Sequence, residues 1–207
     1  MMQLGFNLLF LVSTVIISFM AFSNAELFHK LKFNPYRIKH NRESWRFFSH
    51  ALIHADWLHL LVNMYVLYSF GRLVESVFRS VFGNIGMLYY VLLYVGGVLF
   101  SSLYDFGKHK DDPYYNAVGA SGAVSAVVFS SILLYPQGGL YIFPIPFSIP
   151  SWIFGILYLI YSAYMGKRGT GKVAHNAHLW GAVFGIIYTI ILIPETVKQL
   201  FSHLFGG

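Results

Sequence analysis

Six stretches of the chain are nearly continuous in apolar residues, at about 4–24, 56–73, 85–104, 117–135, 149–165 and 173–193. Each approaches the roughly 20 residues that a bilayer-spanning helix needs. They predict an all-α, polytopic bundle of six transmembrane helices, one membrane domain over 1–207 with no room for a soluble one. Polar residues enter these stretches at few places. The second carries His59 and Asn63, four apart and so on one helix face. The fourth carries Ser121 and the sixth His178, each about one turn below its expected start. Stretches two, four and six begin on the same side, so the four side chains fall at one depth near one membrane face. Polar groups inside a bilayer are costly, and each reads as functional by default. The structural alternatives are a serine bonded back to a carbonyl and a His/Asn pair bridging helices. The shared depth favours the functional reading.

The connection over 25–55 mixes Lys30, Lys32, Arg37, Lys39, Arg42 and Arg46 with Phe28, Phe33, Tyr36, Trp45, Phe47 and Phe48. Between two apolar helices, that mixture predicts a segment lying in the lipid interface, not a nucleic-acid site. Pro144-Ile145-Pro146 and Pro150 predict a turn before the fifth helix. Gly166-Lys167-Arg168-Gly169-Thr170-Gly171 predicts either a mobile cover over the polar cluster or an ordinary turn. Ser23-Asn24-Ala25 has the small-x-small form of a leader-cleavage site. No Lys or Arg precedes the first stretch, and its length exceeds a typical leader core, so a retained helix is expected.

Composition changes the picture from buried helices to membrane helices. Charged residues are 11% of the 207, against roughly 25% in soluble domains. Apolar residues make up 57% and aromatics 19%. So few charges could not cover such a core in water. The chain has no Cys, which excludes disulfides, thiol chemistry and thiolate metal sites. Its nine His include no HExxH pair, and His50, His54 and His59 are spaced four and five apart, so no metal and no cofactor is expected. The net charge of +6 suits a membrane surface. Asp105, Asp111 and Asp112 are expected on a solvated third loop.

Small residues sharpen the chemistry. Gly119-Ala120-Ser121-Gly122 leaves a smooth surface around the serine, and Gly181 and Gly185 form a GxxxG after His178. Such surfaces let helix backbones approach closely, as a short serine would need to reach a histidine on another helix.

These residues resemble the rhomboid intramembrane serine proteases. Gly119-Ala120-Ser121-Gly122 is similar to the family's nucleophile motif, and Ala177-His178-Leu179-Trp180-Gly181 with Gly185 to its catalytic-histidine helix. His59-x-x-x-Asn63 is similar to its oxyanion pair. Trp45-Arg46, His50 and His54 resemble its first loop, and Gly71-x-x-x-Glu75 the end of its second helix. The similarity runs from about Glu43 to Gly185. It implies an intramembrane serine endopeptidase that cleaves in or near transmembrane segments of protein substrates. Ser121 would be the nucleophile and His178 the base, with His59 and Asn63 stabilising the oxyanion. No carboxylate lies on the fourth or sixth stretch before Pro194, so a dyad is expected, not a triad. Ser125 stands where some members carry an aromatic that stacks on the histidine. His175 is a competing base. A silent relative that binds and escorts transmembrane helices, and a small channel or transporter, are the alternative readings. The family's usual topology implies the cell (inner) membrane with the site opening to the outer side. Against that, eleven of the fourteen Lys and Arg fall in loops one, three and five, which would then lie outside.

Overall fold

The first apolar stretch forms α1 (Phe6–Phe22), and its burial is reversed from that of a water-soluble helix. Asn7, Thr14 and Ser18 are 1%, 0% and 0% exposed, while Leu9, Ile16 and Phe19 are 58%, 53% and 60% exposed. A chain in water would not turn its leucines out and its polar groups in; a chain in lipid does. This computed structural model describes residues 5–140, 147–168 and 175–205.

The first connection folds into α2 (Ala25–Leu31), α3 (Pro35–Asn41), α4 (Arg46–Ser49) and a 3₁₀ turn at His50–Leu52. Asn24 and Asn34 cap α2 and α3 by accepting from Leu27 N–H at 2.9 Å and Arg37 N–H at 2.8 Å. Trp45 is exposed, as an interfacial residue should be, but Arg46 is 1% exposed and is no surface anchor. Its guanidinium donates to the His29 and Lys32 carbonyls at 3.1 and 2.7 Å and pairs with Glu43. A fork of N–H donors is suited to satisfying the carbonyl end of a helix such as α2.

The long helices follow: α5 (Trp57–Phe82), α6 (Ile85–His109), α7 (Ser121–Leu134), α8 (Ser151–Arg168) and α9 (His175–Leu192), then the short α10 (Glu195–Phe205). Two-residue strands β1 (Gly139–Leu140) and β2 (Ile149–Pro150) pair antiparallel before α8, Gly139 opposite Pro150. Pro144-Ile145-Pro146 lies outside the described residues, as does the glycine-rich run from Gly169 to Gly171. By length and composition, α6 and α9 are each able to cross a membrane; α1, α7 and 151–165 of α8 are shorter apolar helices.

Two boundaries differ from expectation in ways that matter. α5 runs nine residues past 73, so Gly71 and Glu75 sit inside it and not at its end. Glu75 accepts from the Phe6 N–H at 2.6 Å and from the Asn7 N–H at 3.5 Å. Its carboxylate therefore caps α1, whose first N–H groups have no partners within that helix. α7 begins at Ser121 and not at 117, because Ala117 is paired with Phe33 in a backbone bridge and Gly119 has φ +114°, neither of which is helical.

α7 is the central helix. It is buried from Gly122 to Leu133 and packs on α5, α6 and α9. Gly181 and Gly185 set its distance from α9: a methyl at Gly181 would strike the Gly122 carbonyl, and one at Gly185 the Ala126 carbonyl. The Ser130 and Thr189 hydroxyls join these two helices further along, at 2.8 Å.

Candidate active site

The segment before Ser121 is stitched to the first connection. Phe33 and Ala117 exchange both backbone hydrogen bonds, at 2.9 and 3.1 Å, and Gly119 N–H donates to the His50 carbonyl at 2.9 Å. Gly119 has φ +114°, a conformation that side chains rarely adopt, and the His59 ring fills the space a Cβ would need. Ala120 N–H then meets His54 Nε2 at 3.4 Å. The tautomer of His54 follows from its other contact. Ser18 gives its one proton to the Leu52 carbonyl at 3.0 Å, so His54 Nδ1–H must donate to Ser18 Oγ, also at 3.0 Å. Nε2 is left as the acceptor. Burial pushes the His54 imidazolium down to about 3, with the charge of His59 adding to the effect, and burial pushes His50 down to about 4. Both rings are neutral near pH 7.

Ser121 is thereby the first residue of α7, not a residue one turn inside it. Val124 N–H is the first to bond back, to the Ala120 carbonyl at 2.9 Å. The N–H groups of Ser121, Gly122 and Ala123 have no partner within the helix, and the positive end of its dipole lies at the serine. Asn63 is buried and donates to the His59 carbonyl at 2.9 Å, which leaves its second amide hydrogen for another acceptor. The His59 ring lies against Gly119 and meets the His54 ring edge-on at 4.9 Å.

His178 sits three residues into α9. The Tyr158 ring of α8 stacks on it at 6.0 Å and 20°, and the His175 ring meets it edge-on at 5.9 Å and 76°. Tyr158 also hydrogen-bonds Ser125, one turn along α7 from Ser121, at 2.8 Å. Among the described residues, no hydrogen bond joins Ser121 to His178; catalytic hydrogen bonds are often long without substrate and tighten with it. A cavity of about 20 Å³ lies beside Ser121, lined in part by His50, Ser101, Ser102 and Asp105. That is room for about one water.

Asp105 corrects the expectation of a solvated third loop. It is 3% exposed, accepting from Tyr115 Oη at 2.8 Å and Asn176 Nδ2 at 3.4 Å. Asp111 is at the surface, paired with Lys39 at 2.5 Å. Sequence reasoning missed Tyr158 and Asp105. A tyrosine among fifteen carries no mark of its own, but Asp105 is a lone carboxylate at the end of an apolar run, and its intramembrane cost was a usable signal. No group of three or more metal-ligating side chains occurs among the described residues.

The family model for the Rhomboid domain matches residues 41–195. The chain is 29% identical over 153 residues to "RHOMBOID-like protein 12, mitochondrial" of Arabidopsis thaliana, covering 66% of this chain and 43% of that protein. It is 27% identical to "Rhomboid protease GlpG" of Haemophilus influenzae, covering 72% of this chain and 70% of that one. It is 31% identical to "Rhomboid-like protein 11, chloroplastic" of Arabidopsis thaliana, over 74% of this chain and 54% of the relative. The match spans only about half the length of the two Arabidopsis relatives, 43% of one and 54% of the other. Their names point to mitochondria and chloroplasts as well as to a protease, so the similarity assigns a membrane and no one compartment.

Proposed function

The chain belongs to the rhomboid family, and we propose that it is an intramembrane serine endopeptidase working through a Ser121–His178 dyad. The observation that carries this reading is the meeting of α7 and α9. Two glycines bring the helix that starts with Ser121 against the one that carries His178, and His59 and Asn63 stand at the same end. In this reading α1, α5, α6, α7, α8 and α9 all span the membrane as one domain.

The steps follow from the groups present. Ser121 Oγ attacks the scissile carbonyl carbon while His178 takes its proton. The resulting oxyanion lies at the open N-terminus of α7, where the Ser121 N–H, the free Asn63 amide hydrogen and the His59 ring act as donors. Removing one such donor typically slows a reaction on the order of 100- to 1000-fold. As the intermediate collapses, the C–N bond breaks and His178 returns its proton to the leaving amine. A water, with His178 again the base, then cleaves the acyl ester; the polar cavity beside Ser121 suits its delivery. His175 is the weaker candidate base, since it lies one turn nearer the helix end and meets His178 only by its ring edge. The second reading is a silent relative that binds transmembrane helices, in which Ser121 and His178 would stay without a hydrogen bond to each other even with a substrate helix bound. A fluorophosphonate probe separates the two. Wild type should be labelled at Ser121 and His178→Ala should not; no labelling of folded wild type favours the silent reading.

A further inference from the structure

We propose that Tyr158 of α8 is the positioning residue that sets the ring plane of His178, and that Ser125 of α7 anchors it. The inference rests on His178 being the base and assigns what holds that base in place. Two contacts carry it. The phenol ring lies nearly parallel to the imidazole, at 6.0 Å and 20°, in the offset range that aromatic pairs favour. Its hydroxyl is fixed by Ser125 Oγ at 2.8 Å, and Ser125 is 4% exposed on the helix that begins with Ser121. Phe129 and Phe154 flank the phenol at 5.8 Å each, leaving it little room to swing. The nucleophile's helix therefore holds, through one hydrogen bond, the ring that orients the base. An imidazole without such a contact would populate several χ2 settings, most with neither nitrogen aimed at Ser121. His175 limits His178 from the edge only, so the face contact is the one that selects the plane.

The test compares Tyr158→Phe, Tyr158→Leu, Ser125→Ala and the double variant Ser125→Ala/Tyr158→Phe with wild type and His178→Ala. Each is purified in detergent and checked for an unchanged unfolding temperature. The steady-state readout is kcat and KM on a transmembrane-segment substrate. A histidine ring C–H spectrum, with the His178 signal assigned by its loss in His178→Ala, gives a readout independent of turnover. Tyr158→Leu should lower kcat by up to about 100-fold, the cost of a misplaced catalytic group, with KM unchanged. Tyr158→Phe and Ser125→Ala should each cost about fivefold, and the double variant no more than either alone, since both remove the same hydrogen bond. The His178 signal should move and broaden in Tyr158→Leu and recover in Tyr158→Phe. A folded Tyr158→Leu with wild-type kcat and an unmoved His178 signal would overturn the assignment. If His178→Ala itself keeps full activity, the base reading fails instead, and the spectrum still decides whether Tyr158 fixes the ring.

Discussion

His54 hydrogen-bonds in two directions at once, to Ser18 of α1 and to the Ala120 N–H beside Ser121, and it can do so only when neutral. Its folded value of about 3 and that of about 4 for His50 lie below the ordinary 6.5. An unfolded chain would take up protons at these rings first as pH falls. The stability they contribute is therefore complete above about pH 6.5 and is lost progressively towards pH 4 and below. Unfolding temperature measured from pH 8 to 4 should fall across that window, and His54→Gln should flatten the slope; a level wild-type profile would contradict this. Gly119→Ala carries two penalties, a strained φ and a clash with His59, and should cost about 1–3 kcal/mol by chemical unfolding along with most activity. At this scale Ser121, His178, His59 and Asn63 could be picked out together as candidates, because polar residues stand out against apolar runs. Tyr158 was hidden for the opposite reason: an aromatic on an apolar helix looks like every other.

Apolar runs mark where helices lie but not where they start. The run over 117–135 hid a non-helical lead-in, because Ala117, Val118 and Ala120 are as apolar as the helix that follows. Only Gly119 hinted at a break. α5 was underestimated for the converse reason, since Arg72, Glu75 and Arg79 end an apolar run without ending a helix. The α7–α9 contact was legible from Gly181 and Gly185, and it yields a sharp expectation. Gly185→Leu must push the helices apart or distort them, and overpacking of this kind costs typically about 1–3 kcal/mol. Its unfolding temperature should drop and its cleavage rate with it; an unchanged unfolding temperature would show that the close approach is not needed. Substrate helices face a related constraint. An amide inside a stable helix is sheltered by its own hydrogen bonds, so substrates carrying Gly or Pro near the cut should be cleaved faster than Leu-substituted versions.

The whole molecule keeps polar groups in its interior and leucines on its flanks, which composition alone foreshadowed through its 11% of charged residues. Orientation was not legible, because the basic loops and the family's usual topology point opposite ways. The first connection helps to reconcile them: its basic residues belong to short helices folded together around Arg46, not to a simple tether. The absence of cysteine makes sidedness directly measurable. Tyr114 in the third loop is 89% exposed, and in the cell-membrane placement that the family's usual topology implies, Tyr114→Cys should react with an impermeant maleimide from the outer side of intact cells. Reaction only after permeabilisation would contradict that placement. The measurement that bears most directly on the central claim is cleavage of a fluorogenic transmembrane-segment substrate in liposomes by wild type, Ser121→Ala and His178→Ala. Cleavage by wild type alone is the expected result, and variants that cleave as fast as wild type would contradict the dyad.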